Sequence, residues 1–355
     1  MHIHITGSGA FVPENIVRNV DFSEHTFLNN DGSPLPYNSE VAAEKFLNIT
    51  GIRERRYAEN GITASEMGYR AALEAIANSG LNPETLDYII VAHNFADQTH
   101  PQSQSDILPA LASRIKQKLG IKNPDCVAYD LVFGCPGWLE GVVQARAFML
   151  AGMARKCLVI GADALSRLLD PHDRDSMIYA DGAGATVLEV LNHRPGGILA
   201  TKTASHTLNE AGYLFLGPSY NSEIPRERLF IKMHGRKIYE FALQNVPSAM
   251  AACLKASGIG IEQIKKILIH QANEKMDEAI VNRFYKDFNL TAPDGIMPMS
   301  IHLLGNSSVA TIPTLFHSLK MGKLEGHALH EGDVLIFASV GAGMNINAMV
   351  YQHSA

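Results

Sequence analysis

Short apolar runs alternate with longer segments in which apolar residues recur every three or four positions, and this alternation continues along the whole chain. The short runs predict buried β-strands, and the longer segments predict helices with one buried face. Strands alternating with amphipathic helices are typical of α/β proteins, in which helices cover the sheets. We therefore predict an α/β fold for the 355 residues.

The order of these elements is repeated within the chain. Residues 86–94 and 264–273 each read as a buried strand that ends in polar residues before a helix. Later in each half, residues 182–190 and 341–349 each read as a glycine turn that leads into a strand. Such self-similarity indicates a fold built from two related units.

The pattern is interrupted at residues 192–197, where a proline and two glycines follow each other closely. We therefore divide the chain into residues 1–194 and 195–355. Between the repeated markers, Cys135 in the first half and Asn306 in the second each open a predicted helix. We expect a pseudo-two-fold arrangement in which corresponding strand ends face one cavity.

Composition removes several classes of function. A hydrophobic fraction of 46% and a charged fraction of 19% indicate a packed globule, and a net charge of −6 gives no reason to expect nucleic acid. The longest apolar stretch is broken by Arg155 and Lys156, so no membrane span is expected. We find no signal-peptide pattern, and the four cysteines have no metal or disulfide spacing, so we expect a cytoplasmic protein.

Two further stretches of the sequence are polar, an acidic cluster and a segment rich in turn residues. The cluster could suggest a metal site, but its residues lack ligand spacing on a fixed element, so we favour a solvated loop and expect no metal. Its members are Asp170, His172, Asp173 and Asp175. Residues 27–37 combine asparagine, glycine and proline, and they read as a surface loop or insertion.

Cys135 lies where an apolar strand, predicted at residues 126–133, turns through glycine and proline into a helix predicted at 139–153. A thiol at a helix N-terminus should have a pKa below its usual value of about 8.5 and a larger thiolate fraction. We therefore favour a nucleophile over a buried structural cysteine. The other three cysteines lie within apolar runs and read as structural: Cys126, Cys157 and Cys253.

Three further positions could act with this thiol, and each has a structural alternative. His270 ends a predicted strand, a place where open α/β sheets bind ligands, although a core histidine fits equally well. Asn306 precedes a helix predicted from Val309 onward, where it could simply be a cap. The turn at residues 341–343 could be a hairpin, or it could direct a backbone N–H at a ligand oxygen.

Taken together, these residues resemble the ketoacyl-acyl-carrier-protein synthase III family of the thiolase superfamily, and the resemblance covers almost the whole chain. It implies a thiolase-like five-layer αβαβα fold, a homodimer, and a catalytic triad at Cys135, His270 and Asn306. The stretches that carry it are residues 5–13, 50–56, 161–163, 170–174, 179–184, 270–273, 305–308 and 341–343.

The resemblance implies an acyltransferase of fatty acid biosynthesis that needs no tightly bound cofactor. Cys135 would take an acyl group from a coenzyme A or phosphopantetheine thioester, while the N–H groups of Cys135 and Ala342 hold the oxyanion. Malonyl-acyl-carrier-protein would then lose carbon dioxide, and His270 Nε2 and Asn306 Nδ2 would donate hydrogen bonds to the enolate oxygen. The carbanion would attack the acyl group to give a 3-oxoacyl product.

Other roles follow from the same resemblance. Arg174 and Asn273 would bind the pantetheine thioester, and His100 would bound the acyl pocket across the dimer. Separately from the resemblance, we hypothesise that Arg236, Lys237 and Lys275 form a docking surface for an acyl carrier protein, whose recognition helix is acidic, although a plain solvated surface fits these bases equally well.

The chain also departs from the family pattern. Lys45 and Ile49 stand where many members have a tryptophan and an arginine that clamp the nucleotide of coenzyme A. We therefore hypothesise that the acyl donor arrives on a carrier protein. An unusual sequence around Cys135 and His100 keeps open a second interpretation, a specialised condensing enzyme of secondary metabolism that joins two acyl chains or closes a polyketide or resorcinol ring.

Three other classes fit less well. A degradative thiolase uses a second cysteine near its C-terminus, and no cysteine follows Cys253. A papain-like protease would leave the internal repeat unexplained. A non-enzymatic partner subunit would be expected to have lost a member of the triad.

Overall fold

The computed structural model describes residues 1–99 and 104–354, and two sheets lie at its centre. The first sheet has the strand order β1-β7-β6-β4-β5. Strands β4, β5 and β6 pair in parallel, whereas β7 pairs antiparallel with both of its neighbours. The strands are β1 (Ile3–Phe11), β4 (Tyr88–Ala92), β5 (Val127–Leu131), β6 (Lys156–Ala164) and β7 (Asp181–Val190).

The second sheet has the order β11-β12-β13-β8. Strands β11 and β12 pair in parallel, and β13 pairs antiparallel with both β12 and β8. Its strands are β8 (Gly197–Ser205), β11 (Ile264–Ile269), β12 (Val334–Gly341) and β13 (Asn345–Gln352). Two small antiparallel ribbons flank the sheets: β2 (Asn15–Arg18) with β3 (Glu54–Tyr57), and β9 (Leu214–Pro218) with β10 (Leu229–Met233).

The helices form three layers around the two sheets. One apolar cluster packs α2 and α3 on the outer face of the first sheet, a second packs α5 and α6 on the outer face of the second sheet, and a third packs α4 and α8 between the sheets. The predicted five-layer αβαβα fold is confirmed. The helices are α1 (Ser39–Thr50), α2 (Ala64–Ser79), α3 (Leu111–Lys118), α4 (Gly137–Leu150), α5 (Gly235–Ser257), α6 (Glu274–Lys286), α7 (Ile301–Leu304) and α8 (Thr311–Lys320).

The two sheets have matching topologies. Strands β1, β7, β6 and β4 of the first sheet correspond in order and direction to β8, β13, β12 and β11 of the second, and β5 is an extra strand at the edge of the first. Helices α4 and α8 lie side by side in the shared central layer. Each is preceded by one of the two residues singled out above, Cys135 and Asn306.

Most predicted elements exist, with shifted ends. The helix after Cys135 runs from Gly137 to Leu150, two residues earlier at its start than predicted. The helix predicted from Val309 begins as one 3-10 turn before α8 starts at Thr311. The turn at residues 341–343 connects β12 to β13. It is therefore a hairpin turn, which was one of the two interpretations of these glycines.

The acidic cluster is not the solvated loop that we expected. Asp170 is fully buried and Asp173 nearly so, and both carboxylates bind the ammonium group of Lys232, at 2.6 and 3.0 Å. Lys232 is itself 2% exposed, and its ammonium lies 3.4 Å from the centre of the Tyr220 ring. A buried charge must be paired. The two buried ion pairs therefore connect the loop that carries Asp170 and Asp173 to β10.

Candidate active site

Two glycine turns, one from each half of the chain, touch at Cys135. Gly134 has a φ of +68°, and a Cβ atom there would lie 2.7 Å from the backbone nitrogen of Ala342. A Cβ atom on Gly341 would lie 2.5 Å from the backbone nitrogen of Cys135. Only residues without a side chain allow this approach, which brings the backbone nitrogens of Cys135 and Ala342 into one small region.

Asn345 fastens the two turns together. Its amide Nδ2 donates to the carbonyl oxygen of Ala342 at 2.9 Å and to that of Phe133 at 3.5 Å. Its Oδ1 accepts a hydrogen bond from the Ser205 hydroxyl at 2.6 Å. A single carboxamide therefore connects the Cys135 loop, the glycine turn and β8.

The Cys135 thiol does not have the lowered pKa that we predicted. Burial of the sulfur raises its pKa to about 12, and the negative charge of Asp163 acts in the same direction, although a hydrogen bond from Ser308 opposes both effects. The reason is that a thiolate in this enclosed position loses its hydration. The resting thiol is therefore neutral, and a reaction at this sulfur requires a group that accepts its proton.

Ser308 joins Cys135 to Asn306. The Ser308 hydroxyl donates to Cys135 Sγ at 3.3 Å, and the Ser308 backbone N–H donates to Asn306 Oδ1 at 2.8 Å. The second bond closes a local turn and is not the helix cap of the structural interpretation, since the 3-10 turn that follows is capped at Ser307 without a side-chain bond. It also fixes which end of the Asn306 carboxamide is the NH₂ group. Two members of the proposed triad are thus held by one residue.

His270 directly follows β11 and is 4% exposed. Its backbone N–H donates to Ala338 on β12, three residues before Gly341 in the same strand. Burial lowers the pKa of the imidazole to about 4, so the ring is neutral near pH 7. Its Nδ1 has no hydrogen-bond partner among residues 1–99 and 104–354.

Gln271 braces the segment that leads to Asn306. Its Nε2 donates to Pro298, and its Oε1 accepts from the backbone N–H groups of Ser300 and Ile301. The next polar residue, Asn273, caps α6 by accepting from the backbone of Met276. The polar residues that follow β11 therefore hold two neighbouring segments in place, residues 298–301 and the start of α6.

A cavity of about 340 Å³ opens at Cys135. Its walls are mainly apolar and aromatic, and the backbones of Gly134, Ala342 and Gly343 also line it. The apolar lining residues are Phe95, Val132, Phe133, Leu165, Tyr179, Leu214, Phe215, Leu216 and Ile231. A space of this kind next to a thiol suits a flexible apolar chain.

A second cavity, of about 330 Å³, lies on the other side of residues 178–179. Six residues named in the sequence analysis line it together: Lys45, Ile49, Arg174, Asp175, Arg236 and Asn273. Asn306 lies along the dividing segment, because its backbone N–H donates to Ile178 and its carbonyl accepts from Ala180.

Tyr37 contacts two residues that line this second cavity, a position that could not be predicted from the sequence. The Lys45 ammonium lies 3.7 Å from the centre of the Tyr37 ring, and the Tyr37 hydroxyl accepts a hydrogen bond from Arg174 at 3.1 Å. The loop predicted at residues 27–37 therefore ends between two basic side chains that line the cavity.

Arg236, Lys237 and Lys275 are exposed at the first turns of α5 and α6, which pack beside each other. Arg236 pairs with Glu240 at the surface. His100 lies outside the described residues.

The sequence analysis missed the polar residues that surround Ser308. Asn94 and Asp163 contact each other, and Asn94 also contacts Ser308. Two signals were available: Asn94 is the last polar residue at the end of the strand in residues 86–94, and Asp163 belongs to one of the stretches that carried the family resemblance. No group of three or more potential metal ligands is found in residues 1–99 and 104–354, and no helix in that part of the chain is long and apolar enough to cross a bilayer.

Two matched sheets that enclose a shared helical layer define a thiolase-type condensing enzyme. Two sequence profiles match the chain: 3-oxoacyl-(acyl-carrier-protein) synthase III at residues 129–207, and the C-terminal part of the same family at residues 254–353. A beta-ketoacyl-(acyl-carrier-protein) synthase III from Ehrlichia canis is 31% identical over 343 residues, which cover 96% of each chain.

Solved structures agree with this result. The synthase III from Thermus thermophilus has a TM-score of 0.80 at 27% identity over 99% of each chain. That from Aquifex aeolicus has a TM-score of 0.79 at 26% identity, over 99% of this chain and all of the other. The chain belongs to the 3-oxoacyl-(acyl-carrier-protein) synthase III family, and it is an acyltransferase.

Replacing Asn345 with aspartate should loosen the two turns. The change Asn345→Asp keeps the shape but places a carboxylate against two carbonyl oxygens, so we expect a loss of about 1–3 kcal/mol in the free energy of unfolding. The condensation rate should fall as well. Urea unfolding and a condensation assay check both effects, with Asn209→Asp on the exposed surface as the control. Two indistinguishable variants would show that Asn345 does not hold the turns.

Proposed function

We propose that this enzyme performs a two-step decarboxylative condensation of an acyl thioester with malonyl-acyl-carrier-protein, as in the initiation of fatty acid biosynthesis. The observation that carries the proposal is the convergence of Cys135 with residues of the other half of the chain. The thiol bonds Ser308, which fixes Asn306, and the loop of Cys135 touches the glycine turn at Ala342.

In the first step, Cys135 Sγ attacks the thioester carbonyl and the donor's thiolate leaves. The developing oxyanion accepts hydrogen bonds from the backbone N–H groups of Cys135 and Ala342. The close contact of the two glycine turns supports this assignment, because the nitrogens of Cys135 and Ala342 both lie where the turns meet and no side chain of Gly134 or Gly341 stands there. Fixed backbone donors stabilise such an oxyanion without reorganising.

In the second step, the malonyl thioester loses carbon dioxide, and its enolate oxygen accepts hydrogen bonds from His270 Nε2 and Asn306 Nδ2. Two properties of the site support these roles. Burial keeps the His270 ring neutral, so it can donate one N–H without carrying charge. The Oδ1 of Asn306 is already occupied by the Ser308 backbone N–H, which leaves Nδ2 as the donor toward the substrate.

Single substitutions should separate the two steps. Cys135→Ala should abolish the acyl adduct, whereas His270→Ala and Asn306→Ala should still form it. The latter two should lose about 10²–10³-fold in the decarboxylation and condensation rate, because each removes one donor to the enolate. Intact-protein mass spectrometry follows acylation, and radiolabelled carbon dioxide release follows decarboxylation. Normal carbon dioxide release by both variants would contradict the assignment.

The two cavities suggest how the substrates lie. The acyl group would occupy the apolar cavity at Cys135, and the pantetheine arm would pass through the second cavity between Arg174 and Asn273. The carrier protein would dock on Arg236, which lines that cavity, and on Lys237 and Lys275, which are exposed on the first turns of α5 and α6, since exposed bases steer an acidic partner. A homodimer, a contribution of His100 to the acyl pocket, and a cytoplasmic location complete the proposal.

We further propose that the acyl donor is a carrier protein rather than free coenzyme A. Lys45 and Ile49 replace half of the expected nucleotide clamp, whose other arginine is retained as Arg174, and Tyr37 contacts both Lys45 and Arg174. A nucleotide would therefore have to displace the Tyr37 ring from two basic partners. A carrier protein presents only the phosphopantetheine arm and makes no such demand.

The donor proposal is tested by presenting one acyl group on both carriers. We expect faster acylation of Cys135 from the acyl carrier protein, because its acidic recognition helix can contact the exposed bases while the nucleotide of coenzyme A lacks half of its clamp. Charge reversal at the rim, Lys275→Glu, should slow acylation from the carrier protein and leave acylation from coenzyme A unchanged, while Lys255→Glu at the far end of α5 serves as the control. Faster acylation from acyl-coenzyme A would rule the proposal out.

A further inference from the structure

A continuous chain of hydrogen bonds leads from Cys135 away from the cavity to a buried carboxylate. The Ser308 hydroxyl bonds Cys135 Sγ at 3.3 Å and accepts from Asn94 Nδ2 at 2.9 Å. The same Asn94 Nδ2 donates to Asp163 Oδ2 at 2.6 Å, and the Asn94 backbone N–H donates to Asp163 Oδ1 at 2.8 Å. Asn94 Nδ2 thus lies within hydrogen-bond distance of both the Ser308 hydroxyl and the Asp163 carboxylate, and the serine is close enough to that carboxylate to lower its pKa. A rotation of the Ser308 hydroxyl would turn its single proton from the sulfur toward the carboxylate.

Asp163 is an unusual group to bury without a cation. It is 1% exposed near the end of β6, and no lysine or arginine pairs with it among residues 1–99 and 104–354. Burial raises its pKa to about 6, against the lowering effect of the bonds from Asn94 and Ser308 and of the nearby His93. A carboxylate with this pKa is poised to accept and release a proton near pH 7.

The other titratable groups near Asp163 are poor candidates for the proton acceptor of Cys135. His93, at the end of β4, is bound to Asp130, and Asp181 on the adjacent strand β7 is bound to Ser166 and to the backbone of Ala58. His270 has a pKa of about 4 and is a poor proton acceptor. With a thiol pKa of about 12, only about 10⁻⁵ of Cys135 would be thiolate at pH 7 without an internal base.

We propose that Ser308 relays the Cys135 thiol proton to Asp163 during acylation, with Asn94 holding the serine and the carboxylate in register. As the bond between Sγ and the acyl carbon forms, the thiol proton passes to Ser308 Oγ, and the serine's own proton passes to an Asp163 oxygen. The carbonyl electron pair then returns and breaks the bond to the donor's sulfur. The departing thiolate takes up one proton as Asp163 returns its own along the same path.

In this scheme Ser308 is a catalytic residue, because it touches the reacting sulfur, and Asn94 is a positioning residue. The backbone of Ser308 fits such a specialised role. Its φ of +54° lies in the left-handed region, which a serine rarely occupies. That conformation directs its N–H to Asn306 and its hydroxyl to Cys135 at the same time.

The test measures the pH dependence of Cys135 alkylation by iodoacetamide, followed by intact-protein mass spectrometry with peptide mapping. The inference rests on the proposed function only in taking Cys135 as the nucleophile. Alkylation needs no acyl substrate, so it succeeds or fails independently of condensation. The variants are Ser308→Gly, whose backbone suits a positive φ, and Asp163→Asn, which keeps an acceptor for the Asn94 N–H. Ser307→Ala is the matched control, since its hydroxyl contacts Thr311 and not the thiol.

For the wild-type enzyme and Ser307→Ala, the relay predicts a rate that is level between about pH 7 and 9, because the proton goes to Asp163 and not to solvent. Below about pH 6 the rate should fall about tenfold per pH unit, since Asp163 then already carries a proton. In Ser308→Gly and Asp163→Asn the rate should instead rise about tenfold per unit across pH 7–9, and at pH 7 it should be lower by about 10²-fold.

Two results would overturn the relay. One is a wild-type rate that itself rises about tenfold per pH unit between pH 7 and 9, which means that the thiol loses its proton directly to solvent. The other is a level profile retained by either Ser308→Gly or Asp163→Asn.

Discussion

The contact between Gly134 and the turn at residues 341–343 is the constraint on which the site depends. It joins the nucleophile loop of one half of the chain to the hairpin of the other, and it leaves no room for a side chain on either Gly134 or Gly341. The elements around it serve to hold this contact. The central helices α4 and α8 pack the two sheets against each other, and Asn345 fastens both turns.

The burial of Cys135 and His270 determines the chemistry that these two side chains can perform. Loss of hydration raises the pKa of Cys135 and lowers that of His270, so both groups are neutral at rest. A neutral imidazole and a carboxamide are suited to donating hydrogen bonds to an enolate. A neutral thiol, by contrast, must lose a proton before it can attack, and the buried carboxylate of Asp163 provides a destination through Ser308.

The sequence allowed the element order and the positions of Cys135, His270 and Asn306 to be predicted, because strand periodicity, turn residues and the family resemblance are all local in the chain. It could not show that Lys232 reaches back 59 and 62 residues to Asp173 and Asp170, or that Ser308 lies against a cysteine 173 residues away. The predicted direction of the shift in the Cys135 pKa was wrong for a related reason. The helix start is visible in the sequence, but the extent of desolvation depends on packing from the other half of the chain.

The most direct test of the account is to place a methyl group where the two turns meet. Gly341 has an extended backbone with a φ of −167°, which alanine can adopt without strain. Any effect of Gly341→Ala therefore arises from the collision of the new methyl group with the Cys135 backbone. Gly212→Ala, whose methyl group would have open space, is the control. The account predicts a condensation rate about 10²–10³-fold lower for Gly341→Ala with the fold retained, and no change for the control. A Gly341→Ala enzyme with the wild-type rate would contradict it.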